Sequence, residues 1–265
     1  MPARHPAGHG VPAPHAARMW NYWMGGRDNY ASDRAAGDAV AGVYPGIVAM
    51  AKQSRRFLIR TVRHAARAGV RQFLDIGTGL PTAQNTHQIA QGVAPESRVV
   101  YVDNDDLVLA HARALMAATS PEGRTAFLQA DYHDPVRIFA EAARVLDFSE
   151  PVAVMFMGVL GYEADHGAVR SIVRRTMAAA PSGSLLVLWD GTATCEAVVR
   201  GGRRLVEAGG APYHLRTPEQ LADYFTGLEM LDPGLVPLPR WRPDEGDADE
   251  PVDAYGAVAR KIFRG

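Results

Sequence analysis

The sequence predicts a doubly wound α/β fold: a mostly parallel sheet with helices on both faces, preceded by a helical extension. Three observations carry that expectation. From residue 70 onward, short apolar runs of β-formers alternate with longer stretches of helical spacing, the pattern of strand–helix–strand crossovers. The first run, Val70 to Ile76, ends in Gly77-Thr78-Gly79, a turn with no Cβ to obstruct a ligand approaching a helix N-terminus. The next two runs each close on an acid, Asp103 and Asp131, at the rim where such sheets bind ligands.

Taken in order, Met1 to about Pro14 is Pro, His, Gly and Ala without periodicity, so residues 1–16 are expected to be a disordered tail. Its histidines, His5, His9 and His15, are read as part of that tail rather than as metal ligands. Residues 17–69 are expected to be a helical cover. A helix from Ala16 to Met24 stops at Gly25-Gly26. A second starts at Asp28 or Ser32 and runs to Val43, where Pro45 punctuates. A third, Ile47 to Ala68, spaces Met50, Phe57, Leu58, Val62 and Ala65 at helical intervals. Trp20, Tyr22, Trp23 and Tyr30 would wall a pocket or simply pack the helices on the sheet.

Residues 70–265 are expected to form the ligand-binding domain. Strands are predicted at about 71–76, 98–103, 125–130, 151–157 and 184–189. Helices are predicted at about 82–91, 105–118, 135–146, 166–180 and 194–208, with another from Pro218 to Phe225. Leu235 to Leu238 and Asp253 to Phe263 would complete the sheet. The acidic stretch Arg242 to Asp253 lacks the glycine and terminal glutamate of a calcium loop and reads as a solvated loop.

Charge at the turn bears on which ligand it holds. A dinucleotide fingerprint wants a third glycine, and Thr82 stands there. Asp75, inside the strand end, would repel a pyrophosphate and favour a sulfonium cation. Those two residues point to S-adenosylmethionine over NAD. Asp103 falls 24 residues after Gly79, near the roughly 20-residue spacing at which an acid holds ribose hydroxyls. Asp131 is placed to accept from an adenine amino group. The alternative for each acid is a helix N-cap.

On these residues the chain resembles the S-adenosylmethionine-dependent methyltransferases of class I fold. Within them it is similar to a bacterial family long known as a domain of unknown function, the family 19 type. Asn21-Tyr22-Trp23-Met24-Gly25-Gly26-Arg27-Asp28-Asn29-Tyr30 resembles that family's N-terminal signature. Phe73 to Thr82, then Asn85 and His87, resembles its cofactor loop, and Tyr101-Val102-Asp103-Asn104-Asp105 and Tyr255 to Lys261 also fit. Ser54 stands where the family usually has Asn, and Gly158-Val159-Leu160-Gly161-Tyr162 where its sequence is richer in histidine. The resemblance covers about residue 17 to the end. It implies a seven-stranded, Rossmann-like sheet.

The expected cofactor residues are therefore Asp75, Gly77, Thr78, Gly79, Asp103, Asn104, Asp131, Tyr132 and Gly158. Tyr22, Arg27 and Asn29 would belong to a lid of residues 20–30. Arg55 could pair with the cofactor carboxylate or be exposed. His87 would sit near the cofactor or in a hydrogen-bond network. Methyl transfer is an in-line displacement that depends on positioning, so catalytic residues are less fixed than in hydrolases. Candidates follow strand three (Tyr132, His133), strand four (Met157, Gly158, Tyr162, Glu163) and strand five (Asp190), with His133 and Tyr162 preferred for substrate contact.

Composition bounds the rest. With 47% hydrophobic and 22% charged residues over 265, a sizeable core can form. A net charge of −1 gives no broad attraction for nucleic acid or anionic membranes. Lysine occurs only as Lys52 and Lys261, which with abundant Ala and Gly suggests a GC-rich bacterial coding sequence. The lone Cys195 excludes an internal disulfide and a cysteine-cluster metal site, and suits a reducing cytoplasm. No apolar run approaches the ~18 residues of a membrane span, and no signal-peptide core opens the chain. The expectation is a cytoplasmic methyltransferase of specialised metabolism acting on a small molecule, with no metal and with a homodimer left open. The alternatives are other uses of the cofactor, aminocarboxypropyl transfer or cyclisation, and a non-catalytic regulator that binds it.

Overall fold

The structure is a computed structural model and describes residues 13–81, 84–115, 117–247 and 249–262. His5, His9, Thr82 and Phe263 lie outside the described residues. Three helices come first: α1 (Ala16–Trp23), α2 (Ala31–Val43) and α3 (Gly46–Arg67). Alternation then begins with β1 (Gln72–Ile76), α4 (Thr86–Val93), β2 (Arg98–Asp103), α5 (Asp106–Leu115), β3 (Arg124–Gln129) and α6 (Pro135–Ala142). It continues through β4 (Ala153–Met157), α7 (His166–Ala179), β5 (Leu185–Gly191), α8 (Glu196–Glu207) and α9 (Pro218–Ala222). Three strands close the chain: β6 (Glu229–Met230), β7 (Val236–Pro237) and β8 (Ala254–Arg260).

The sheet runs β3-β2-β1-β4-β5-β8-β6, with β7 also paired to β8. β1 to β5 are parallel, and β8 enters antiparallel beside β5. The count is eight rather than seven because the strand expected before β8 is two short pieces. β6 pairs at Glu229 and Met230 and β7 at Val236 and Pro237, with Pro233 and Gly234 between them, residues that interrupt a ladder.

Successive strand residues point to opposite faces, and the core divides accordingly. Phe73, Val99, Tyr101, Met155, Val187 and Trp189 face one way and share a cluster with α1, α2, α3, α4 and α8. Leu74, Ile76, Val100, Val102, Val154 and Leu188 face the other way, toward α6, α7 and α9. The strand order reverses between β1 and β4, so a crevice opens at their carboxyl ends.

Two local expectations are corrected. The helix after the glycine turn starts at Thr86 rather than 82, because Asn85 and Gln88 form a capping box, Asn85 N–H donating to Gln88 Oε1 at 2.8 Å. The acidic stretch is not simply solvated. Arg60, 4% exposed, donates to Asp247 at 2.9 Å and to the Leu238 and Trp241 carbonyls, and Arg63 donates to Asp244 at 2.8 Å. The stretch is thereby pinned along α3. No helix among the described residues is long and apolar enough to cross a membrane.

Candidate active site

A cavity of about 420 Å³ lies at the carboxyl ends of the strands, within the ~300–1,000 Å³ range of small-molecule sites. One end is built by β1, β2 and the turns that follow them. Gly77 has φ +75°, and an added Cβ would lie 2.4 Å from Val159, so the turn tolerates no side chain there. Gly79 N–H donates to Asp103 Oδ2 at 3.0 Å, and Asp105 N–H donates to Asp103 Oδ1 at 3.0 Å. The second strand's acid thus holds the first strand's turn open beside itself. Burial raises the Asp103 pKa, and the two N–H groups work against that rise.

Asp75 is 4% exposed and accepts from Thr86 Oγ1 at 2.7 Å. Burial pushes its carboxyl up to about 6, against the pull of Thr86 and of the Arg55 guanidinium. Arg55 lines the same end. Its Nε is buried without a partner among the described residues, and its Nη1 makes a long 3.4 Å bond to the Gln84 carbonyl. A buried guanidinium N–H with nothing to donate to leaves room for an anionic group of a ligand.

The other end is apolar. Trp20 and Trp23 of α1, Tyr44 after α2, Trp189 of β5, Leu205 of α8 and Tyr213 wall it. Trp20 stacks on Trp189, with ring centroids 5.7 Å apart and 25° between planes. Gly158, after β4, has φ +76°, and a Cβ there would lie 2.4 Å from the Trp189 ring. The glycine lets the indole lie directly over the strand end.

Of the residues singled out from sequence, Arg55, Asp75, Gly77, Thr78, Gly79, Asp103, Asn104, Tyr132, Gly158 and Tyr162 come together on this one cavity. Trp20, Trp23 and Met157 line it as well, whereas the following residues stand elsewhere. Tyr22 turns its hydroxyl to Asp38 at 2.7 Å, and Arg27 is exposed. Asn29 donates to Asn21 Oδ1 and the Gly26 carbonyl. His87, 1% exposed, sits behind the cavity-lining Tyr101, its N–H and Nδ1 both 2.8 Å from that hydroxyl. Asp131 and Glu163 hold His133 between them at 2.6 and 2.8 Å. Partial burial lowers the His133 pKa, but these two carboxylates outweigh it and raise it.

Sequence reasoning missed Tyr44, Trp189, Leu205 and Tyr213 as wall residues. Trp189 alone carried a signal, a bulky aromatic one residue before the acid that closes strand five. The other three enter through tertiary packing: Tyr44 from the end of α2, Leu205 from α8 and Tyr213 from the segment after it.

The family model described as S-adenosyl methyltransferase matches residues 6–262. The chain belongs to the S-adenosyl methyltransferase family. Two solved structures extend the match over nearly the whole length. A DUF574-family protein from Streptomyces avermitilis is 44% identical, with 94% of this chain and 98% of that one covered and a TM-score of 0.89. A Thermobifida fusca protein provisionally described as a methyltransferase is 37% identical, with 95% and 96% covered and a TM-score of 0.83. Human N-acetylserotonin methyltransferase, solved with S-adenosylmethionine, shares the fold at 12% identity and a TM-score of 0.51 over 87% of this chain and 57% of that one. No curated protein matches the sequence.

The protein is thus an S-adenosylmethionine-dependent methyltransferase with a Rossmann-like sheet. The residues present fit that cofactor: an open glycine turn, acids at the ends of β1 and β2, and a buried guanidinium N–H without a partner among the described residues, all on one cavity. When bound, S-adenosylmethionine supplies an electrophilic methyl group on a sulfonium.

Proposed function

We propose that the protein methylates a small molecule in specialised metabolism, in the bacterial cytoplasm, without a nucleic-acid, membrane or metal partner. The observation that carries this is the shape of the cavity. The polar end at β1 and β2 and the apolar end under α1 are one continuous cavity of about 420 Å³, a volume that suits a compact acceptor rather than a nucleic-acid duplex or a folded protein surface.

In this reading Asp103 accepts from the ribose hydroxyls, aided by Asn104. Gly77, Thr78 and Gly79 pass the backbone close to the ligand. Arg55 pairs with the carboxylate of the cofactor's amino-acid portion, and Asp75 sets the negative field around its cationic part. Tyr132, beside Ala130 and Val108, borders the adenine, with Asp131 at its edge. Gly158 and Tyr162 border the methyl-transfer point. His133 stands at the rim, where it orders the strand-three and strand-four ends through Asp131 and Glu163. Tyr22, Arg27 and Asn29 support the cover rather than touch the ligand, and His87 supports Tyr101. Residues 17–69 form the cover and residues 70–265 the cofactor-binding domain.

The test uses two labels. Protein is incubated with a small-molecule extract of an actinomycete and S-adenosylmethionine labelled either in the methyl or in the carboxyl carbon. Methyl label in a low-mass product, with no carboxyl label, is expected. Carboxyl label in the product would instead indicate aminocarboxypropyl transfer. Cofactor binding with no label in any product would favour the regulatory alternative.

A further inference from the structure

Charge is segregated within the cavity. Its charged or ionisable acid and base side chains, His15, Arg55, Asp75, Asp103 and Asp105, all lie at the β1–β2 end or latch onto it. The end walled by Trp20, Trp23, Tyr44, Trp189, Leu205 and Tyr213 has no Asp, Glu, Lys, Arg or His among its described lining residues. A charged acceptor buried there would lose its hydration with nothing to replace it. The indoles instead offer flat faces: Trp20 stacks on Trp189 and meets Trp23 edge-on at 5.7 Å and 82°. Such surfaces suit another ring, offset-stacked or edge-to-face.

Two tyrosines of this wall donate to carboxylates. Tyr44 donates to Asp253 at 2.8 Å, and Asp253 is already shared with Thr194 and Cys195. Tyr213 donates to Asp190 Oδ1, which also accepts from Gly191 N–H at 3.2 Å. Asp190 is 1% exposed, and its Oδ2 is buried without a hydrogen-bond partner among the described residues. A carboxylate short of one donor at full burial is a proton acceptor in waiting. The Tyr213 ring is fixed against Gly161 and Gly191, where a Cβ would come within 2.3 and 3.2 Å of it, and meets the Tyr162 ring edge-on at 5.1 Å. Burial pushes the Asp190 carboxyl up to about 7, opposed by Arg216 and by the backbone N–H groups of Gly191 and Gly161. The other titratable groups around it are Tyr132, Tyr162 and Tyr224, so Arg216 is its one cationic neighbour among the described groups.

We propose, resting on the small-molecule reading above, that the acceptor is an uncharged molecule with a flat aromatic ring and a hydroxyl, and that Tyr213, positioned by Asp190, takes the hydroxyl proton. The balance is complete. The acceptor oxygen forms its bond to the methyl carbon as the carbon–sulfur bond breaks and that pair goes to sulfur. The acceptor's proton passes to Tyr213 Oη while the Tyr213 proton passes to Asp190, which releases it to water afterwards. Tyr213 is the catalytic residue and Asp190 acts through it.

The probes are 2-naphthol and its charged counterpart 2-naphthoate, titrated by calorimetry into the full chain held with S-adenosylhomocysteine, whose own binding is measured first. 2-Naphthol is expected to bind at least tenfold more tightly than 2-naphthoate. Trp20→Ala should weaken 2-naphthol at least tenfold while S-adenosylhomocysteine affinity stays within about twofold. With S-adenosylmethionine, the rate of 2-methoxynaphthalene formation should rise with pH through an inflection near 7, and Asp190→Asn should lower the rate and abolish that inflection. Naphthoate binding as tightly as naphthol, or no naphthol binding with S-adenosylhomocysteine bound, overturns the acceptor assignment and leaves the cofactor reading standing. Naphthol binding without methylation, or an inflection that persists in Asp190→Asn, overturns the proton assignment. Failure of S-adenosylhomocysteine itself to bind would strike the underlying reading instead. The naphthol–naphthoate contrast is read on the unmodified chain, so it stands even where a variant fails to fold.

Discussion

Asp103 spends one oxygen on Gly79 N–H and the other on Asp105 N–H, yet each carboxylate oxygen has a second acceptor site. Those remaining sites are what ribose hydroxyls would use. Asp103→Ala should weaken S-adenosylhomocysteine binding by about 2–3 kcal/mol, the loss of charge-assisted hydrogen bonds, as read by calorimetry. Unchanged affinity would place the ribose elsewhere. Asp75 and Asp190 lead to a pH prediction. Their folded pKa values, about 6 and about 7, stand above the ordinary carboxylate value of about 3.9. Between those limits the folded chain binds more protons than the unfolded one, so these two groups lower stability as pH rises from about 4 to about 7, and the loss is complete above it. Asp33, whose buried carboxylate is held low despite its burial by Arg18 and two backbone N–H groups, acts in the opposite sense. The clean comparison is therefore wild type against Asp190→Asn by urea unfolding. The variant should gain relative stability as pH rises from about 4 to about 7, by an amount on the order of a few kcal/mol at most. A gain independent of pH would mean that Asp190 is ionised throughout. At this scale the strand-end residues were legible, because a strand's alternation fixes where its last side chains stand. Tyr22, Arg27 and Asn29 were not, because their direction depends on how Asn21 folds the loop around itself.

Among the elements, α1 decides whether the cavity is covered. Asp33, fully buried, ties three separate points of the cover: His15 N–H at 2.8 Å, Arg18 Nε at 2.7 Å and Tyr30 N–H at 2.8 Å. His15 then reaches across to Asp105 at the end of β2. The glycine pair that follows α1 has a packing reason that the sequence concealed. Gly26 lies so close to Asn21 that a Cβ would come within 2.4 Å of its side chain, and Asn21 Oδ1 accepts from Asp28 N–H and Asn29 Nδ2. In the first part of the cover, the stretch that faces the cavity is thus His15 to Met24, through His15, Trp20, Trp23 and Met24, rather than the loop that follows. Segments that close over ligands open locally at lower cost than the sheet. Hydrogen exchange should show rising protection across 15–24 on adding S-adenosylhomocysteine, with little change in 242–253, which α3 already pins. Equal protection of 15–24 in both states would reduce α1 to plain packing. The three cover helices were legible to within about a residue, since apolar spacing and the Gly25 stop mark their ends. Their tertiary placement over the site was not, because it depends on long-range packing against the sheet and α8 and on the buried carboxylate of Asp33.

Across the whole molecule, the alternation of strands and helices sufficed to predict the sheet, and the one discrepancy in strand number comes from the short, Pro-interrupted pieces β6 and β7. What the sequence could not display is the segregation of charge along the cavity, since its apolar end draws on α1, the end of α2, β5, α8 and the segment beyond, remote in the chain and adjacent only in the fold. A ligand bound by the folded chain alone stabilises it by mass action, about 2.7 kcal/mol at a hundredfold excess over Kd, so S-adenosylhomocysteine should also raise the melting temperature. The most direct measurement is calorimetric titration of the same protein with S-adenosylhomocysteine and, separately, with NAD. S-adenosylhomocysteine is expected to bind stoichiometrically, one per chain, with NAD giving no heat of binding. Saturable NAD binding with no response to S-adenosylhomocysteine would contradict the assignment of Asp75, the Gly77–Gly79 turn and Asp103 to a sulfonium cofactor.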